Sequence, residues 1–530
     1  MIRPVVLIVM DGWGLAAPGP GNAITLANLP FFDYLWSSFP HGKIHASGES
    51  VGLPHNEDGN TETGHLNLGA GRIIYQDLPR INMAIADGSF YKNGAFLAAI
   101  NFAKKNNSNL HLMGLVGGGG VHANNEHLFA LLYLCKEQGF KNVFIHIFTD
   151  GRDSPPTVAL EYVKKIEENL RILDIGKIAS VSGRYYAMDR DLRWDRTQKT
   201  YEMLTSGSCN PKAVSVEEII KKSYEEGITD EFIKPTPVCE RGKPVATITE
   251  YDSVIFYNFR IDRPRQLTKA FISSEFSPLK SKRNFHLFEK KLPASLTRAK
   301  KIENLFFVTM TEYEKNLPVK AAFPPQTVFR PLGRIISERG LRQLRLTESE
   351  KERFVTFYFN GQKEEPFIGE DRLIVPSPKV PTYDLAPEMR SKEITDSLLF
   401  KIKENIYDFV LINFPNPDMV GHSGVIPAAI KAVEAVDESL QKIVPAVLNA
   451  GGAVLLTADH GNCEEMIDPN TGGVDTEHSN NLVPFLVIGS QWEGKPKELR
   501  NGILGDVAPT ILEILGIEKP VEMSGRSLLS

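Results

Sequence analysis

Cysteine is scarce in this chain: four residues, Cys135, Cys209, Cys239 and Cys463, among 530. They are widely spaced and none forms a C-x-x-C pair. A disulfide framework and a cysteine zinc site are therefore not expected, and a reducing compartment fits. Long apolar runs are also missing. The first run, Val5 to Met10 in "MIRPVVLIVMDGWG", stops at Asp11. It is too short for a signal-peptide core and far too short to span a bilayer. The expectation is a buried strand in a cytoplasmic protein. Positive charge is not in excess either: Lys plus Arg total 60, Asp plus Glu 65, net −5. That balance argues against general binding to nucleic acid or a membrane surface. No Walker-type phosphate loop, repeat or low-complexity tract is present. A G-x-G-x-x-A pattern at Gly12 to Ala17 follows the first apolar run, but "PGPG" (18–21) forbids the helix that a dinucleotide site needs.

What is present is a large globular composition, 42% apolar and 24% charged, over a length that favours two or more domains. Short β-branched runs recur: "VVLIVM" (5–10), "VFIHIF" (143–148), "SVIFYNF" (253–259), "FVLINF" (409–414), "AVLLTAD" (453–459) and "PFLVIG" (484–489). Between them lie helical patterns, clearest at 427–450. There Ile430, Val433, Val436, Leu440, Ile443 and Val447 recur at three- and four-residue steps, with Pro445 expected to kink or end the helix. Near-continuous apolar strands alternating with helices imply α/β layers around mostly parallel sheets. Residues 76–311 are arginine-dense and lack His–Asp metal spacing, so they are expected to form a second domain inserted into the first, 1–75 with 312–530. The basic stretch 278–304 reads as a surface excursion.

Three strands end on acids: Asp11, Asp418 (after "FVLINFPNP") and Asp459. Ligands of open α/β sheets gather beyond the carboxyl ends of strands. A single acid there would cap a following helix; three together suggest one cation site. Asp418 and His422 share a helical face in "DMVGHSG", Asp459 and His460 are adjacent in "TADHGNCEE", and "DTEHSNN" adds His478. Imidazole with carboxylate suits Mn²⁺ or Zn²⁺, and with Asp11 the set can complete a two-metal cluster of the kind that clamps a transferring phosphoryl group.

The stretch "NTETGHLNLGAGR" (60–72) is crowded with small and reactive groups. Thr61 there is either a helix N-cap or, beside metal ligands, a nucleophile that starts a helix whose N-terminus attracts phosphate. "DGRD" carries Arg152 and Asp153, "GRYYAMDR" carries Arg184 and Arg190, and "FRIDR" carries Arg260 and Arg263. Arginine grips carboxylate and phosphate in two-pronged fashion, so a small substrate bearing both groups fits; surface ion pairing is the competing reading, favoured for Arg193 and Arg196. "GGGGVHANNEH" (117–127) offers a backbone cradle for an anion, with His122 beside it, or a plain flexible loop.

These blocks, with "GHLNLGAGRIIYQDLPRIN", "VPSPKVPTYDLAPEM" and "TADHGNCEEM" in the same order, run nearly end to end. The chain resembles the cofactor-independent (2,3-bisphosphoglycerate-independent) phosphoglycerate mutases of the alkaline phosphatase superfamily. The resemblance implies an alkaline-phosphatase-like α/β metal domain with an inserted α/β phosphotransferase domain, and two bound divalent metals, most often Mn²⁺. It implies Asp11, Asp459, His460 and the oxygen of residue 61 at one metal, and Asp418, His422 and His478 at the other. It implies His122, Arg152, Asp153, Arg184, Arg190, Arg260, Arg263 and Lys351 as substrate contacts. Lys351, in "TESEKERF" (347–354), reads from spacing alone as part of a charged helix face. The implied reaction exchanges 3-phosphoglycerate and 2-phosphoglycerate through a phosphoenzyme, in a monomer whose domains close on a trapped small-molecule substrate.

The chain departs from the family twice. Its loop has Thr61 where the family pattern G-N-S-E-x-G-H has serine, and Gly117-Gly118 where Ser-Asp is common. The extra methyl restricts χ1. Three activities follow as alternatives: a mutase, fast or slowed; a metal-dependent phosphomonoesterase in which water intercepts the phosphoenzyme; or a non-catalytic binding protein on the same fold.

Overall fold

The computed structural model describes residues 2–209, 215–273 and 301–529. Most of the basic stretch 278–304 lies outside these residues. The chain divides into two compact units, Met1–Pro79 with Gln326–Ser530, and Arg80–Pro325. Among the described residues no helix is long and apolar enough to cross a membrane.

The first unit is built on an eight-stranded sheet. Its central strands are Gln343–Glu348, Phe409–Phe414, Val5–Met10 and Ala453–Thr457, all mutually parallel. Every residue of Val5–Met10 and Phe409–Phe414 is buried. That is why these strands read as unbroken apolar runs: a parallel sheet is covered on both faces. The helix Ile426–Asn449 supplies part of the cover, with Val433, Val436, Leu440, Ile443 and Val447 in the same core as the strands and Ile430 packed at its margin. Pro445 does not end this helix, which runs on to Asn449. Pro445 and Gln441 lie on the exposed side, where the carbonyl deprived of its partner can be solvated. Buried neighbours Ile443, Val444 and Val447 hold the last turns.

Register places the acids. Met10 pairs with Phe414 and Val9 with Thr457. Asp11 and Asp459 therefore emerge side by side, and Asp418 follows in the short helix Asn416–Gly421.

The second unit has a seven-stranded sheet. Ser253–Phe256, Leu110–Val116, Val143–Thr149 and Lys177–Gly183 are its central parallel strands, and Lys320–Phe323 and Thr236–Pro237 lie at its edges. Here the expectation of a chain without disulfides is corrected. Cys209 and Cys239 form one, their Cα atoms 6.0 Å apart across 30 residues of sequence. No local spacing announces it, because the fold alone brings the two together. Cys135 and Cys463 are free and buried.

His127, on the helix Asn125–Glu137, is buried with Nε2 2.9 Å from Asn82 Oδ1 and no partner for Nδ1. Burial lowers its pKa from 6.5 to about 4. Between these values the folded protein binds fewer protons than the unfolded chain, so stability must fall as pH drops through that window. Melting temperatures from pH 7 to pH 4 should show a smaller loss for His127→Gln than for the parent; an equal loss contradicts this assignment.

Candidate active site

Thr61 opens the helix Thr61–Ala70, but it is not the cap. Asn60 takes that role, its Oδ1 accepting the Thr63 N–H at 2.9 Å. The Thr61 hydroxyl is left free for other partners. It lies 2.8 Å from His460 Nε2, 2.9 Å from Lys351 Nζ and 3.4 Å from Asp11 Oδ1. Lys351 is itself buried, at the end of a single turn whose other residues, Ser349 and Glu350, are exposed. Its Nζ also donates to Asp11 Oδ1 at 3.0 Å and Asp418 Oδ2 at 2.7 Å. Burial disfavours its charge, but Asp11, Asp418 and Asp459 outweigh that and hold its pKa well above the ordinary value.

Asp418 is the hub. Its Oδ1 is 3.2 Å from both His422 Nε2 and His478 Nε2, which are themselves 3.2 Å apart. His422 Nδ1 donates to the Thr476 carbonyl at 2.7 Å and His478 Nδ1 to the Gly59 carbonyl at 2.8 Å. Those bonds orient both rings so that each Nε2 faces the carboxylate. Asp418, His422 and His478 form one group able to hold a metal ion, and Asp11, Asp418 and His460 form a second. Asp459 stands just outside the second, its Oδ2 3.6 Å from His460 Nε2 and 3.1 Å from His65 Nδ1.

The donor set fits divalent cations. Asp418 Oδ1 and Asp459 Oδ1 are buried without a hydrogen-bond donor, an expensive arrangement unless positive charge is supplied. Protons are one source. Burial would depress His460, yet Asp459, Asp11 and Asp418 push it up to about 10. A metal ion is the other, and the mixed imidazole and carboxylate ligands suit it.

Two residues not singled out in the sequence complete this cluster. His65 Nδ1 is 3.1 Å from the Thr61 carbonyl, and Asn413 Nδ2 reaches Asp11 Oδ2 at 2.7 Å and His65 Nε2 at 3.2 Å. Asn413 did leave a signal: it is the one polar residue inside "FVLINF".

The second unit gathers its own cluster at the carboxyl ends of its parallel strands. Arg184 follows Lys177–Gly183 directly, is buried, and its Nη1 lies 2.5 Å from both Asp150 Oδ1 and Asp153 Oδ2. Arg190 and Arg260 share Asp262, at 2.9 and 3.2 Å. His122 lies 3.8 Å from Asp153 and from Asp262; burial first, then Arg184, lowers its pKa to about 4, so it is neutral near pH 7. Arg263 donates to the Met188 carbonyl at 3.2 Å. Burial and the nearby charges of Arg184, Arg190 and Arg152 lower its pKa. Arg152 is half exposed, 3.6 Å from Glu231. Ion pairing therefore accounts for much of this cluster: the acids space the guanidiniums, and Arg263 stands among like charges. The glycine departure has a local match. A Cβ on Gly117 would stand 2.7 Å from Ser154 Oγ and 2.8 Å from Asp150 Oδ2, and the Gly118 N–H donates to Ser154 Oγ at 2.8 Å.

The chain is similar to known proteins along nearly its whole length. The family described as BPG-independent PGAM N-terminus (iPGM_N) matches residues 81–315. A 2,3-bisphosphoglycerate-independent phosphoglycerate mutase of Chloroflexus aggregans is 51% identical over 536 residues, covering 99% of this chain and 98% of that protein. The one from Moorella thermoacetica is 49% identical over 527 residues, with the same coverage. A crystal structure of Leishmania mexicana phosphoglycerate mutase, determined at low cobalt concentration, aligns with a TM-score of 0.55 at 30% identity, covering 100% of this chain and 98% of that one. The chain thus belongs to the 2,3-bisphosphoglycerate-independent phosphoglycerate mutase family and is an enzyme of that class.

Proposed function

We propose that the chain interconverts 3-phosphoglycerate and 2-phosphoglycerate through a phosphoenzyme on Thr61, with two divalent cations, Mn²⁺ by preference. The observation that carries this reading is the Thr61 hydroxyl, uncommitted to capping and placed among His460, Lys351 and Asp11 at a helix N-terminus. Asp418, His422 and His478 would hold one cation. Asp11, Asp459, His460 and Thr61 would hold the other, with Asp418 near enough to His460, 3.9 Å, to serve both. Bound there, the cations would neutralise the transferring phosphoryl group and ease loss of the Thr61 proton. The relative crystallised at low cobalt concentration accords with a divalent-cation enzyme.

The remaining work falls to the chain's own residues. Lys351 donates to Thr61 Oγ1 and favours its anionic form. The backbone N–H groups at the start of the helix Thr61–Ala70 favour phosphate there. The bond from Thr61 Oγ1 to phosphorus forms as the bond from phosphorus to the glycerate oxygen breaks. The proton lost by Thr61 ends on that oxygen. The second transfer returns the group to the other hydroxyl, whose proton leaves in turn. Asp153 or neutral His122, both in the glycerate-binding unit, would accept it. Arg152, Arg184, Arg190, Arg260 and Arg263 would retain the glycerate between the two transfers, since water reaching the phosphoenzyme would give hydrolysis. Metal binding and transfer are thereby assigned to 1–75 with 312–530, and glycerate binding to 76–311.

The test is product identity. With 3-phosphoglycerate and Mn²⁺ the expected product is 2-phosphoglycerate; inorganic phosphate as the main product would make the chain a phosphomonoesterase, and neither would make it a binding protein. Thr61→Ser removes one methyl group and is expected to raise kcat, by no more than ~10²-fold, because near-attack geometry is sensitive to displacements of about 1 Å. A serine variant slower than the parent would show that this site is built around threonine.

We further propose a cytoplasmic monomer. Light scattering should give a mass near 59.0 kDa. In a reducing cytoplasm Cys209 and Cys239 would persist as adjacent thiols, which thiol alkylation of protein from lysed cells would reveal.

A further inference from the structure

His65 and Asn413 belong to neither of the two groups in which a metal fits, yet both are completely buried beside them. Their hydrogen bonds run in one direction. Asn413 Nδ2 places one hydrogen on Asp11 Oδ2, 2.7 Å away, and the other toward His65 Nε2, 3.2 Å away. The opposite amide orientation would set Asn413 Oδ1 against a carboxylate, so Asp11 fixes the direction. His65 Nε2 is therefore an acceptor, and Nδ1 carries the proton. That proton is directed to the Thr61 carbonyl at 3.1 Å, and Asp459 Oδ2 stands at the same distance from Nδ1 without a hydrogen bond of its own. The chain of contacts thus runs Asp11, Asn413, His65, Asp459. It ties down one oxygen of Asp11 and turns the other, Oδ1, toward Thr61, His460 and Lys351.

Neither residue is explained by packing. Asn413 interrupts a strand whose other residues are all apolar and buried, beside Val9 in the sheet. A leucine would suit that environment better unless the amide has work to do. We propose that His65 and Asn413 are a positioning pair that holds Asp11 and Asp459 in the orientation the Thr61-side cation requires. This rests on the reading of Thr61, Asp11, Asp459 and His460 as that cation's site. Groups that orient metal ligands in this way typically change metal affinity by 10–100-fold.

The experiment is Mn²⁺ binding to the full chain, followed by electron paramagnetic resonance of free Mn²⁺, for the parent, Asn413→Leu, His65→Phe and the double variant. Both replacements roughly keep volume and remove the hydrogen bonds; melting in chelator reports whether each still folds. The expectation is two Mn²⁺ sites in the parent and a 10–100-fold weaker affinity at one of them in each variant, the other unchanged. The double variant should be no worse than the weaker single one, because the two residues act in series. Variants that bind both ions like the parent would overturn the pairing, as would equal weakening of both sites together with a lowered melting temperature, the mark of a merely structural role. A parent whose Mn²⁺ binding is insensitive to Asp11→Ala would instead overturn the cation site on which the inference rests.

Discussion

Thr61→Val should abolish the mutase reaction, lowering kcat by on the order of 10⁴-fold or more, as loss of a nucleophile does in enzymes whose groups act as a unit. Valine keeps the β-branch and the volume. It removes only the hydroxyl, from a residue that is 5% exposed and makes no capping bond. Folding and glycerate binding should therefore survive. The arginine cluster lies in the other unit, and Asp418, His422 and His478 do not use residue 61. A dead enzyme with parent-like substrate affinity is the expected pair of results. A variant retaining more than a few per cent of parent kcat would mean that another group carries the phosphoryl.

The second large effect concerns Asp418. It is the only residue shared by both groups that fit a metal ion, and its two oxygens face different partners, the histidines on one side and Lys351 on the other. Burial raises its pKa, but Lys351, His422 and His478 more than reverse that and hold it well below the ordinary carboxylate range. Asp418→Asn removes the charge while keeping the shape. It is expected to cost about 10³-fold in kcat at fixed Mn²⁺ and to lower the Mn²⁺ stoichiometry, since it takes a ligand from both sites and leaves buried cations uncompensated. His478→Gln, which touches one group alone, should cost less. Treating the parent with a chelator should remove activity and added Mn²⁺ should restore it. Equal losses for the two substitutions would contradict the shared role of Asp418, and full activity in chelator would remove the cations from the account.

The ligand-bearing edge of the first sheet was open to sequence reasoning for a physical reason. A strand buried on both faces must be apolar throughout, so Asp11 and Asp459 stand out where "VVLIVM" and "AVLLTA" stop. Parallel pairing then brings the ends level. Asp418, His422, Asp459, His460 and His478, from "DMVGHSG", "TADHGNCEE" and "DTEHSNN", lie beyond strand ends where packing does not require them, and the structure brings these five to one place. Other features left no local trace. Lys351 lies among three glutamates and an arginine in "TESEKERF", where charge ordinarily means solvent; the buried carboxylates of Asp11 and Asp418 reverse that meaning, and they are 340 and 67 residues away in sequence. The Cys209–Cys239 disulfide is likewise a product of tertiary approach. Of the two outcomes expected at Pro445, an end to the helix does not occur, because the lost hydrogen bond falls on the exposed side. His65 was in view inside "NTETGHLNLGAGR", but a histidine at that spacing gives no hint that its partner is an asparagine in a distant strand.

Residue 61 is where the account is most exposed, and one measurement addresses it directly: rapid acid quench of the enzyme turning over 3-phosphoglycerate, followed by peptide mass spectrometry. The account requires a phosphate on Thr61 in the peptide spanning residues 60–72, absent from the Thr61→Val protein. Phosphate found only on another residue, or no phosphopeptide from an enzyme that is demonstrably forming 2-phosphoglycerate, would contradict it.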